Sequence, residues 1–198
     1  MKILVTGGAG FVGSHLVKRL LIEGHEVQVL DNLSTGHVKN LQNLDNDSLQ
    51  IHNGSVLDYQ LCENLICKTD YIVHLAAAVG VFTIVNNPLQ SMITNIRGTE
   101  NILDLANKYG KQILITSSSE IYGKNSTDKL SENSDRILGP TSYLRWSYSE
   151  SKAIDESLAF AYFQEFNLPV RIVRFFNTVG PRQVGQYGMV VPRFIEAA

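Results

Sequence analysis

The apolar positions of this chain fall into short runs separated by longer periodic stretches. Ile3-Leu4-Val5 has the character of a buried strand, and similar runs recur at Glu26–Leu30, Leu49–His52, Tyr71–Leu75, Gln112–Thr116 and Val170–Phe175. Helical patterns lie between them. Leu16, Val17, Leu20 and Leu21 make one apolar face over Phe11–Glu23, and Gly24 is a natural stop. Asp58 reads as the N-cap of a helix running to Cys67. Long helices are predicted over Leu89–Tyr109, before Gly110, and over Trp146–Phe166, before Asn167-Leu168-Pro169. Residues 32–48 read as a polar loop with a short helix near Val38–Leu44. Residues 79–89 read as a loop broken by Pro88, and residues 124–142 as an irregular surface loop. A last helix opens at Pro192. Strand alternating with helix predicts an α/β fold with a doubly wound parallel sheet. Ligands of such sheets lie beyond the carboxyl ends of the strands.

The first strand leads directly into Thr6-Gly7-Gly8-Ala9-Gly10-Phe11-Val12-Gly13, and the second is followed by Asp31. Strand, glycine turn, helix, strand and acid form the dinucleotide-binding arrangement of a Rossmann-like sheet. Gly7 permits the tight turn. Gly10 carries no side chain to hold a pyrophosphate off the backbone, and Gly13 lets the helix pack close. The helix N-terminus offers unpaired N–H groups to phosphate. Asp31 comes 18 residues after the last motif glycine. A carboxylate there accepts from both ribose hydroxyls and repels a 2′-phosphate. No Arg or Lys follows until Lys39, which favours NAD over NADP.

Composition narrows the classes. Hydrophobic content of 44% and charged content of 18% suit a soluble globule. A net charge of −2 gives no footprint for nucleic acid or an anionic membrane. No apolar run approaches the roughly 18 residues of a membrane span. Cys62 and Cys67, five apart in a predicted helix, read as buried thiols rather than a disulfide or metal pair. A cytoplasmic protein without a metal site is expected.

Tyr148-Ser149-Glu150-Ser151-Lys152 puts a phenol and an ammonium on one helix face. The ammonium favours phenolate and is expected to lower the tyrosine pKa from near 10. In a chain with eight tyrosines the spacing alone is weak. Its weight comes from opening a helix after the fifth strand of a nucleotide-binding sheet. Ser117–Ser119 supply hydroxyls at that strand's end, either for a substrate oxygen or for turn chemistry. Glu120 follows them as a candidate functional carboxylate. Ala76–Ala78 allow close approach, by a nucleotide or by a packed helix. Asp58 is compatible with a nucleotide contact as well as a cap. Asn95, inside the long helix, reads as structural.

TGGAGFVG, Asp31, HLAAA, SSSEIYG, YSESK and RFFNTVGPR occur here in order. Together they resemble the extended short-chain dehydrogenase/reductase superfamily, and within it the NAD-dependent nucleotide-sugar epimerases and dehydratases. The resemblance implies bound NAD, a UDP-sugar substrate and transient oxidation at C4. It implies that Tyr148 takes the C4 hydroxyl proton, Lys152 holds the cofactor ribose and Ser118 assists at the substrate oxygen. The expected cofactor residues are Gly7, Gly10, Phe11, Val12, Gly13, Asp31, Asn32, Val56, Asp58, Leu75, Ala76, Ala77 and Lys152. The expected substrate residues are Ser119, Asn177 and Arg182, with Asn177 at the diphosphate. The resemblance also implies a homodimer through the helices near 89–109 and 146–166.

The second chemical step stays open between 4-epimerisation and decarboxylation. Dehydratases of the resembling family carry Asp-Glu where this chain has Ser119-Glu120. Ser-Glu there, with Arg145-Trp146 ahead of Tyr148, is similar to UDP-glucuronate decarboxylases, whereas DNLSTG is epimerase-like. An arginine for a substrate carboxylate is expected beyond residue 198. Residues 1–176 read as the NAD-binding domain with the catalytic residues, and 177–198 as the start of a substrate region that is largely absent. Such a truncated chain is expected to bind NAD and turn over poorly. The rival reading is an NAD-holding scaffold or sensor, which has no need of Tyr148, Lys152 and Ser118.

Overall fold

The computed structural model describes every residue except 43, 45, 46, 188 and 189. Six strands, β1 (Lys2–Thr6), β2 (Glu26–Asp31), β3 (Leu49–Asn53), β4 (Tyr71–His74), β5 (Gln112–Ser118) and β6 (Val170–Phe175), form one sheet. All pairings are parallel, in the order β3-β2-β1-β4-β5-β6. The order reverses between β1 and β4, and there the carboxyl ends open a crevice.

The alternation of strand residues sorts the core onto two faces. Ile3, Val5, Val27, Val29 and Val73 pack with Val17 of α1 (Phe11–Ile22) on one side. Leu4, Leu30, Ile72, Ile113 and Ile115 pack on the other. There they meet Leu65 and Ile66 of α2 (Tyr59–Ile66), Ile102 and Leu103 of α4 (Pro88–Lys108), and Ala159 of α5 (Ser147–Phe166). No helix among the described residues is long and apolar enough to cross a membrane.

Most element boundaries match the pattern within two residues. Gly24 (φ 77°) and Gly110 (φ 61°) follow the ends of α1 and α4, and left-handed Asn167 caps α5. The helix expected near Val38–Leu44 is a single 3₁₀ turn at Val38–Asn40. The expected loop at 79–89 instead contains α3 (Val81–Asn86). Its β-branched residues have modest helix propensity, but burial of Ile84 outweighs that. Pro88 opens α4 at its first turn, where no N–H is needed, rather than breaking the chain. The last helix, α6 (Val190–Ala197), begins before Pro192. Cys62 is buried as expected, but Cys67 is exposed, because it caps the end of α2 beyond the apolar face.

One buried ion pair fastens α5 to the outer strand. Arg174 Nη2 and Nε donate to Glu156 at 2.7 and 2.9 Å, and Nη1 donates to the Tyr122 hydroxyl at 2.7 Å. Burial is the largest single influence and works against the Glu156 charge, but the Arg174 hydrogen bonds, the Ser117 hydroxyl and the Arg174 and Arg136 charges together outweigh it and hold the carboxyl below its ordinary value of 4.5. The stability from this depressed pKa is therefore complete above that ordinary value and is lost as pH falls through the folded one. Glu156→Gln, which leaves the guanidinium without its charge, is expected to lower unfolding free energy by about 3 kcal/mol at neutral pH. The loss should shrink below about pH 4. Urea unfolding at the two pH values checks both; a pH-independent loss would show that the charge is not what matters.

Candidate active site

The glycine turn is built by contacts that only glycine permits. Gly7 has φ 71°, and a Cβ on it would lie 2.8 Å from the Ala76 nitrogen. A Cβ on Gly13 would run into the Gly7 carbonyl oxygen. Gly8, outside the motif spacing, is equally constrained, because a Cβ there would sit 2.7 Å from Val29. Gly10 differs: the nearest atom to its Cβ position is the Gly7 oxygen at 3.2 Å, and the residue lines the crevice. Turn closure thus accounts for Gly7 and Gly13, while Gly10 leaves its side open to a ligand.

The crevice has a volume of about 610 Å³. At its cofactor end Phe11, Val12, Asn32, Val56, Leu75 and Ala77 line it with the motif glycines and Ala76. Asp31 is buried there. Its Oδ2 accepts from the Ala9 N–H at 2.9 Å and its Oδ1 from the Leu33 N–H at 2.8 Å. Each oxygen keeps a further lone pair for a ribose hydroxyl. An open glycine cradle, a fixed acid and a buried lysine suit a dinucleotide. Asp58 is the exception among the expected cofactor residues. It does not line the crevice, because its carboxylate is used as the α2 cap, accepting from the Leu61 N–H at 3.0 Å.

At the other end Ser118, Ser119, Glu120, Tyr148 and Lys152 come together. The Ser118 Oγ accepts from the Glu120 N–H at 3.2 Å, so its own proton remains to be given. That hydroxyl faces the Tyr148 phenol. Lys152 sits one turn on, only 3% exposed, with Nζ 3.0 Å from Asp155 Oδ2. Contrary to the expectation from charge alone, the Tyr148 pKa is raised. Burial of the phenol dominates, and the opposing effects of the Lys152 charge and the Ser118 hydroxyl are smaller.

Asn177 and Arg182 also line the crevice. The loop that carries them lies over the start of α1: the His15 ring nitrogen Nε2 bonds the Pro181 carbonyl at 2.9 Å, and Gly180 abuts Phe11. Arg182 Nη1 is buried with no hydrogen-bond partner, which leaves a cationic donor for an anionic ligand.

Two further residues lie outside the expected set of site residues. Arg145 lines the crevice, stacks on Trp146 at 5.5 Å and pairs with Glu120 at 2.7 Å. Asn95 is buried and joins three segments. Its Oδ1 accepts from the Ala78 N–H at 2.7 Å, and its Nδ2 donates to Ser151 Oγ at 3.1 Å. An uncharged residue buried mid-helix has no sequence signature. Arg145 had one signal, its place three residues before Tyr148. Among the described residues no cluster of His, Cys, Asp and Glu is placed to hold a metal ion.

The sequence profile of the NAD dependent epimerase/dehydratase family matches residues 3–198. A UDP-N-acetyl-alpha-D-glucosaminuronate decarboxylase from Bacillus cytotoxicus is 43% identical over all 198 residues, which span 61% of its length. A UDP-N-acetylglucosamine 4-epimerase from Methanobrevibacter ruminantium, solved with UDP-N-acetylmuramic acid, superposes with a TM-score of 0.89 at 32% identity. The match covers 99% of this chain and 62% of the epimerase. A dTDP-glucose 4,6-dehydratase from Streptomyces venezuelae, solved with NAD, gives 0.90 at 33% identity, covering 99% and 61%. The chain therefore spans about three fifths of the length of these relatives. Sequence profile, crevice and relatives agree that the chain belongs to the NAD dependent epimerase/dehydratase family.

Proposed function

We propose that residues 1–176 form an NAD-binding domain that carries the proton-transfer residues of a UDP-sugar enzyme, with a substrate region beginning at residue 177. The reaction we infer is decarboxylation of a UDP-uronate. The observation that carries it is the Arg145–Glu120 pair, inside the crevice that holds Tyr148. A uronate carboxylate needs a cation, and Arg145 offers one within this chain, where the sequence reading looked for it beyond residue 198. The identity to a decarboxylase over the whole chain supports the same reading.

NAD⁺ would supply the hydride acceptor for the sugar C4. Asp31 would accept from the adenosine ribose hydroxyls, and Lys152 would donate to the other ribose. Tyr148 would take the O4 proton as phenolate, a form that burial disfavours and that the Lys152 ammonium together with the positive nicotinamide ring of bound NAD⁺ would favour, while Ser118 donates to that oxygen. With C4 a ketone, the carboxylate on C5 is placed for loss: the C5–C6 bond breaks, CO₂ leaves, and its electron pair moves toward O4. C5 then takes a proton, and return of hydride to C4 with the Tyr148 proton to O4 would give the product alcohol and restore NAD⁺. Glu120, fixed by Arg145, lies with Tyr148 at this end of the crevice. A second reading, 4-epimerisation, has the structural likeness to 4-epimerases in its favour and needs no cation at C6.

Incubation with UDP-glucuronate, UDP-N-acetylglucosaminuronate and UDP-glucose, followed by NMR, separates the two. Loss of C6 from a uronate is expected; conversion of UDP-glucose to UDP-galactose alone would favour the epimerase. Tyr148→Phe is expected to reduce turnover about 10²–10⁴-fold while the protein still releases NAD on denaturation. Unchanged turnover would remove Tyr148 from the chemistry.

We also propose a homodimer through α4 and α5, and a cytoplasmic setting in keeping with two free thiols. Leu89 and Ile154 are exposed, and Ile93 and Ile96 are half-buried. Light scattering should report twice the chain mass, and Ile154→Glu should return the monomer; a monomeric wild type would refute the assembly.

A further inference from the structure

A line of buried polar groups runs behind the catalytic lysine. It begins at the last residue of β1. The Thr6 hydroxyl oxygen receives the Ala76 N–H at 3.2 Å and lies 2.7 Å from His74 Nδ1. In the tautomer that leaves Thr99 its own proton for Asp155, Nε2 carries the ring proton and Nδ1 accepts from the Thr6 hydroxyl. Nε2 stands 3.2 Å from the Thr99 hydroxyl and donates to it. Thr99 in turn has its own proton for the Asp155 carboxyl, which it faces and helps to keep charged. Asp155 Oδ2 receives the Lys152 ammonium at 3.0 Å. Thr6, His74, Thr99, Asp155 and Lys152 are all at most 3% exposed. In that tautomer the donors from Thr6 through His74 to Thr99 run toward one carboxylate, which Lys152 meets from the other side.

The histidine does not act as a proton store. Burial, and then the Lys152 charge, push its pKa down to about 3, so it stays neutral. Asp155 is the member whose charge is contested. Burial raises its pKa, and Lys152 and Thr99 oppose that. The groups facing it are Lys152, Tyr148 and Glu156 on its own helix, with Glu156 bonded to Arg174 of β6. Uncharged Thr99 faces it from α4, with neutral His74 of β4 behind Thr99.

We propose that Asp155 is a positioning residue: held by the Thr6–His74–Thr99 line, its carboxylate anchors one donor of the Lys152 ammonium and leaves the other two to the cofactor crevice, which ties dinucleotide affinity to the charge on Asp155. The ammonium has three N–H donors, one of them used by Asp155. When Asp155 takes a proton, Lys152 loses its buried counter-ion and is no longer held for a ribose. The inference rests on the NAD reading of the crevice, and it assigns work to residues outside the glycine turn, the Tyr148–Lys152 pair and the strand-end serines.

The test is calorimetric titration of NAD⁺ into the protein across about pH 5 to pH 9. Wild-type affinity should weaken on the acid side. Thr99→Val, nearly isosteric, removes one donor from the carboxylate. It should move the midpoint upward by about one pH unit while leaving the alkaline affinity within about twofold. Asp155→Asn should bind about tenfold more weakly at alkaline pH and lose the acid limb. A Thr99→Val profile that overlays the wild type, or an Asp155→Asn protein with wild-type affinity, overturns the proposal. If Asp155→Asn fails to fold, Thr99→Val decides. Wild type that binds no NAD⁺ at any pH refutes the cofactor reading instead. Nitrogen NMR of His74 in the cofactor-free chain then tests the line by itself: a protonated Nε2 and bare Nδ1 are expected, and the opposite tautomer overturns it.

Discussion

Burying the Lys152 ammonium sets terms that much of the structure meets. An unpaired charge in that position would be strongly destabilising. Its counter-ion, Asp155, is itself buried and needs hydrogen-bond donors of its own. Thr99 of α4 faces it and favours its charged form, His74 of β4 stands behind Thr99, and the line ends on β1 at the threshold of the glycine turn. One desolvated cation therefore fixes the relation between the two central strands and the two long helices on that face of the sheet. Asn95, equally buried, joins the Ala78 segment to Ser151 of α5. The crevice floor is thus held by directional polar contacts, while the apolar core beneath it supplies most of the burial.

The same floor sets the electrostatics around Tyr148. Tyr148 lies between a dry environment that disfavours phenolate and an ammonium that favours it, and in this structure the dry environment prevails. The Y-x-x-x-K spacing conveys the ammonium alone. It is silent on desolvation, which comes from chain segments distant in sequence.

The doubly wound parallel sheet and nearly every element were legible because a parallel sheet buried on both faces writes itself as apolar runs separated by helical periods. The site was legible where chemistry needs a rare residue at a fixed place: motif glycines, an acid after the second strand, a tyrosine and lysine one turn apart. What escaped was relational. The polar line behind Lys152 consists of a threonine, a histidine, a threonine and an aspartate spread over residues 6–155, and nothing in their spacing announces contact. Asp58 was legible as the cap of α2, which it is, whereas the sequence could not say whether the same carboxylate also lines the crevice, because capping a helix and contacting a nucleotide ask for the same group. The helix at Val81–Asn86 was missed because its formation depends on tertiary burial rather than on local propensity.

Asp31 belongs to the turn as well as to the crevice. Its two oxygens receive the N–H groups of Ala9 and Leu33, and Gly36 packs against it so closely that a Cβ there would lie 3.0 Å from Oδ2. The carboxylate that would turn away a 2′-phosphate is also a keystone of the loop that would receive the pyrophosphate. Cofactor preference in this chain is therefore not a detachable label. A redesign that replaced the acid to admit the phosphorylated dinucleotide would first have to give the Ala9 and Leu33 amides new acceptors, so coenzyme choice and loop architecture are bound to drift together.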